Sequence, residues 1–150
     1  MRTVFVVIVM LSLNCGCASW FQFKQRDGTI ECDSRYYGTA KECQAAAKRL
    51  IESCGVKLPS KAPYCRIDVQ KGVKYYVIDG KKVWYMEADG LCGGYSKGRY
   101  IRMACDPVTG DITPWVLTHE FGHHWLTSVG NTMGHDPKFK KVFRLWYDAK

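Results

Sequence analysis

Several residue types and patterns are scarce in this chain, and each gap narrows the reading. Histidine occurs four times in 150 residues, and all four, His119, His123, His124 and His135, fall within one stretch. Glutamate is absent after Glu120, so any later carboxylate ligand has to be an aspartate. No Cys-x-x-Cys pair occurs, which removes the common thiolate grip on zinc. The longest apolar run, Val4 to Leu13, is about half of the roughly 20 residues that span a bilayer. Internal repeats and low-complexity segments are missing, which excludes solenoids and arrays and leaves one globular domain. Basic residues form only short groups, too short to mark a nucleic-acid surface.

What is present begins with a leader. Met1-Arg2 gives a positive start, the apolar run follows, and Gly16 and Ala18 stand where a signal peptidase wants small residues. The expectation is a signal peptide over residues 1–18 and a mature domain over 19–150. Cys17 also fits a lipid-anchor site, although Asn14 stands where that pattern wants an apolar residue. Export to a secreted, periplasmic or envelope-associated location permits disulfides. Six cysteines remain after the leader, Cys32, Cys43, Cys54, Cys65, Cys92 and Cys105, and they suggest three staples with connectivity left open. The formal charge of +8 is explained first by a merely soluble surface, and second, in an exported protein, by an anionic envelope polymer or membrane surface as a partner besides any protein or peptide substrate. Nucleic acid is not expected, and a monomer is.

Along the chain, Tyr37 to Cys54 is rich in helix formers, with Thr39 as cap, Glu42 three residues later and Gly55 as stop. Two β-rich runs flank Asp79-Gly80, the signature of a hairpin. Glycines make residues 90–98 read as a flexible loop, and Tyr100 to Cys105 reads as a strand. A second helix starts at Thr113-Pro114 and runs to Gly130-Asn131; a third starts at Asp136-Pro137, with Phe139, Val142, Phe143 and Trp146 on one face. The class is α+β: an N-terminal helix, a short antiparallel or mixed sheet, a histidine-bearing helix and a C-terminal helix, stapled by disulfides.

His119 and His123 are four residues apart on the second helix, so both imidazoles leave one face one turn apart, and Glu120 sits between them. This is the H-E-x-x-H arrangement, in which two histidines hold zinc and the glutamate reaches a water beside it. A catalytic zinc needs a third protein ligand and an open position. The remaining candidates are His135 and Asp136. Asp136 before Pro137 has a ready role as helix cap, so His135 is preferred. His124 points about 100° away from His123 and reads as a packed or solvent-exposed residue, not a second catalytic group. Tyr95, Tyr100 and Tyr147 are possible donors to a developing oxyanion, and Gly122 suggests a close approach to its helix.

"HEFGH" followed by "GHDPKF" resembles the SprT-like and WLM-type zinc metallopeptidases, in which a GH-x-x-x-F segment completes the metal site. The resemblance covers about Ile101 to Trp146. It implies a compact zincin core of the minigluzincin kind, His119, His123 and His135 as ligands to one zinc ion, Glu120 as catalytic base and Phe139 as a packing residue. Those relatives are typically intracellular and many serve DNA repair; the leader and the cysteines depart from that pattern, so the DNA-linked role is not carried over. The function expected is an exported zinc metalloendopeptidase. Its mechanism is hydrolysis by a zinc-activated water with Glu120 as general base, and the Tyr100 to Cys105 strand is the edge on which an extended substrate adds. The alternatives are a structural zinc and a disulfide-stapled basic binding module.

Overall fold

The computed structural model describes residues 24–86 and 94–130. The expected leader, Cys92, the third helix and its cap, His135, Phe139 and Tyr147 lie outside these residues. The described chain runs β1 (Lys24–Arg26), β2 (Ile30–Asp33), α1 (Ser34–Ser53), β3 (Cys65–Lys71), β4 (Lys74–Ile78), β5 (Lys81–Tyr85), β6 (Gly94–Lys97), β7 (Tyr100–Cys105) and α2 (Pro114–Ser128). The α+β class is as expected.

Five strands form one sheet in the order β1-β2-β3-β7-β6, and β4-β5 form a separate hairpin. The inner strands β2, β3 and β7 are parallel, while β1 and β6 close the two edges antiparallel. Parallel neighbours need a crossover, and α1 supplies the one between β2 and β3. Alternation along the strands sends Ile30, Cys32, Cys65, Ile67, Ile101 and Met103 into one core. Ala40, Ala47 and Ile51 of α1 and Val116, Leu117, Phe121 and Trp125 of α2 cover it. Each large apolar side chain buried this way contributes about 1.5–3 kcal/mol.

The buried residues of α1, Ala40, Cys43, Gln44, Ala47 and Ile51, recur at helical spacing, and three of them are small. That small stripe lets α2 lie close: Cys43 Sγ sits 3.3 Å from the Pro114 carbonyl oxygen, and the Trp125 indole donates to the Gln44 carbonyl at 3.0 Å. Among the described residues no helix is long and apolar enough to cross a membrane.

Four expectations change. Helix α1 starts at Ser34, not near Thr39, because Asp33 accepts from the Arg35 amide at 2.9 Å and caps it. Residues 94–97 form strand β6, since β7 offers an open ladder to which even a glycine-rich segment can pair. For the same reason β7 is interior, flanked by β3 and β6, and is not the sheet edge. Cys32, Cys43, Cys54, Cys65 and Cys105 are free thiols, so the expected staples are absent among the described residues. All but Cys54 are buried and pack as small apolar groups; burial pushes the Cys32 thiol up to about 11 and Cys65 up to about 12.

The hairpin and α2 follow the sequence. Asp79 and Gly80 both take positive φ, 49° and 74°, as the tight turn between β4 and β5 demands. Helix α2 has Pro114 in its first turn and ends before Gly130, whose φ is 76°. Thr113 holds the cap position, but its side chain makes no capping hydrogen bond.

Candidate metal centre

Helix α2 is buried on nearly every side, since Val116, Leu117, Phe121, Gly122, Trp125 and Leu126 are all enclosed. The same helix buries His119 and Glu120, each about 95% shielded from solvent by exposures of 4% and 5%. Polar side chains in such a position need partners or a ligand. His123 is only half-buried, which leaves the pair one side open to solvent.

One helical turn brings the two imidazoles together. Their Nε2 atoms are 3.1 Å apart, with ring centroids 4.8 Å apart and planes at 79°. Two imidazoles bound tetrahedrally to one zinc at 2.0–2.1 Å would hold their nitrogens about 3.3 Å apart. The observed spacing fits that geometry, and it also suits a hydrogen bond between two neutral rings. The donor set therefore fits a zinc ion on its Nε2 side: two converging ring nitrogens, with a buried carboxyl on the next residue.

Burial pushes the Glu120 carboxyl up to about 8, far from its ordinary value. A cation held by its neighbours favours the ionised form again, so metal binding and Glu120 basicity are coupled. Among the described residues, no group of three His, Cys, Asp or Glu side chains gathers at one point. The structure brings the His119 and His123 rings together, with Glu120 buried on the same helix; His135 and Asp136 lie outside the described residues.

His124 is packed, the first of the two placements expected for it, and its neighbours explain what it does. Nδ1 is 3.1 Å from the Gly98 carbonyl oxygen and Nε2 is 3.4 Å from that of Pro63. The ring thus ties α2 to the β6–β7 turn and to the loop before β3. Burial lowers its pKa, while the Pro63, Gly98 and Tyr64 backbone contacts oppose that shift. Tyr100 is exposed on the face of β7 opposite to Ile101 and Met103, and so is removed from the helix face that carries Glu120.

The reading of the sequence missed two features. Strand β6 is the sheet edge that packs near α2, and its glycines hid it. Gln44 is buried on α1, and its Nε2 has no hydrogen-bond partner among the described residues. A helical count of buried positions on α1 would have found the second.

Comparison with family models, with curated proteins and with solved structures finds no match to this chain.

Proposed function

We propose that this chain is an exported zinc-dependent metalloendopeptidase. The observation that carries the reading is the convergence of His119 Nε2 and His123 Nε2 at 3.1 Å beside the buried Glu120. His119, His123 and His135 would hold one zinc ion. When bound, zinc acidifies a water and polarises a peptide carbonyl.

Glu120 takes the proton as the water attacks and then delivers it to the leaving amine. Its buried position keeps bulk water from competing for that proton, and a basicity tuned by burial and metal suits a base near neutral pH. An extended substrate adds at β6, the open edge beside α2, in place of the interior β7.

The test is the zinc content of the folded protein together with cleavage of an unstructured protein substrate. About one zinc per chain, weakened by His135→Ala, and cleavage lost in Glu120→Gln are expected. A folded wild type that takes up no zinc overturns the reading.

A further inference from the structure

The β4–β5 hairpin stands outside the main sheet, and its two faces differ. On the inner face Val83 and Tyr85 are fully buried, Ile78 packs on the core, and Tyr76 meets the Tyr85 ring edge-on at 4.9 Å. The pairs Tyr75↔Trp84 and Val77↔Lys82 define the outer face, which Val73 extends by the same alternation. Outward positions of a surface hairpin are normally polar. Here Val73, Tyr75 and Val77 are 55%, 45% and 64% exposed.

Lys82 lies in the outer rows beside this apolar stripe, while Lys74 and Lys81, at the two ends of the hairpin, stand in the rows of Tyr85 and Ile78. Lys71, Lys74, Lys81 and Lys82 are all exposed, and Asp79 at the turn is the single acidic residue between Lys71 and Tyr85. Lys82 Nζ lies 4.5 Å over the Tyr75 ring. Beside the stripe, Asp106 accepts from the Trp84 indole at 3.2 Å and from the amides of Val108 and Thr109, so its carboxylate is engaged in the turn it forms. That turn carries Val108, which is 91% exposed.

We propose that the outer face of this hairpin docks on the surface of an anionic phospholipid bilayer. Val73, Tyr75, Val77 and Val108 enter the boundary between headgroups and acyl chains, where tyrosine with its polar tip is well accommodated. Lys82 beside the stripe, and the long exposed side chains of Lys71, Lys74 and Lys81 at the ends of the hairpin, reach the lipid phosphates. A hydrated anionic polymer would satisfy the lysines and leave the apolar stripe in water. A second copy of the same face would set lysines against lysines. The bilayer surface satisfies both features. The inference is independent of the metal site.

The test is sedimentation of the protein, in its exported form, with vesicles of phosphatidylcholine alone or mixed with phosphatidylglycerol. Any leader or anchor is common to all variants, so differences between variants report the hairpin. Wild type should bind the anionic vesicles at least about tenfold more tightly than the neutral ones. Val77→Asp and the double change Lys81→Glu with Lys82→Glu should each weaken that binding about fivefold or more. A control with Lys57→Glu and Lys61→Glu, exposed lysines outside the hairpin, should change it less than about twofold. Folding is checked by circular dichroism. Equal losses in the control and the hairpin variants, undiminished binding by Val77→Asp, or binding to a soluble anionic polymer with none to vesicles would each overturn the proposal.

Discussion

The Trp125 indole N–H donates to the backbone carbonyl of Gln44 at 3.0 Å, joining α2 to α1 across 81 residues of sequence. Trp125 is also buried at 2% exposure, so at this point the helix bearing the histidines is fixed both by packing and by a directed bond. Trp125→Ala should cost about 3–5 kcal/mol, the cavity and the lost apolar contact together. Trp125→Phe keeps most of the contact but leaves the Gln44 carbonyl without that donor, and should cost about 1–3 kcal/mol. Urea unfolding of the metal-free protein measures both. A Trp125→Phe variant as stable as wild type would show that the indole bond contributes nothing.

Gly72 sits where β3 passes into the hairpin. Its amide donates to the Cys105 carbonyl at 2.8 Å, and a Cβ built there would stand 2.7 Å from Trp84 Cβ and 3.1 Å from the Cys105 oxygen. One of those neighbours is backbone, so the contact cannot be relieved by a rotamer change alone. Gly72→Ala should therefore destabilise by about 1–3 kcal/mol, although alanine is ordinarily the easier residue to order. A variant as stable as wild type would mean that the hairpin shifts freely on the sheet.

Asp27 contributes to the acid sensitivity of the fold, with Glu31 and Asp106, whose carboxyls are also held below their ordinary value by hydrogen bonds. Burial raises the Asp27 pKa, yet hydrogen bonds from Lys41, Tyr37 and the Ile30 and Thr29 amides more than offset this and hold the carboxyl far below its ordinary value. A depressed carboxylate stabilises the folded state fully above its unfolded pKa, near 4, and that contribution is lost as pH falls below it. Asp27→Asn should lower stability at neutral pH by about 1–2 kcal/mol and flatten the decline below about pH 4. Urea midpoints on both sides of that pH test it; parallel pH profiles for variant and wild type would rule it out.

Local signals were legible in the sequence and long-range ones were not. Asp79-Gly80 specifies its turn by needing two residues that tolerate positive φ, and Pro114 with Gly130 brackets α2, so the hairpin and the histidine helix could be placed from neighbours alone. The pairing of His119 with His123 follows from helical spacing and needs nothing distant. The position of β7 between β3 and β6 depends on pairings across dozens of residues, which no local pattern encodes. Strand β3 did carry a signal in the alternation of Cys65, Ile67 and Val69 with Arg66, Asp68 and Gln70, but which strands flank it is again a long-range matter. The cysteines misled because their number suits staples, whereas their burial on strand and helix faces is that of small apolar residues.

Glu120 separates the metal from the chemistry. It stands one residue from His119 on α2, and glutamine there has nearly the same volume and shape, so Glu120→Gln leaves the ring nitrogens and the packing of the helix in place. Zinc uptake should persist while peptide cleavage falls about 10²–10⁴-fold, the usual contribution of a positioned proton acceptor. The neutral amide also removes a carboxyl whose charged form burial disfavours, so in chelator the variant should be at least as stable as wild type at neutral pH, by up to about 1 kcal/mol. Histidine substitution must give the opposite pattern: His119→Ala loses zinc and cleavage together. If Glu120→Gln lost zinc as completely as His119→Ala, the carboxyl would be a ligand and not a base. If it kept both zinc and full cleavage, proton transfer would have to be assigned to another group.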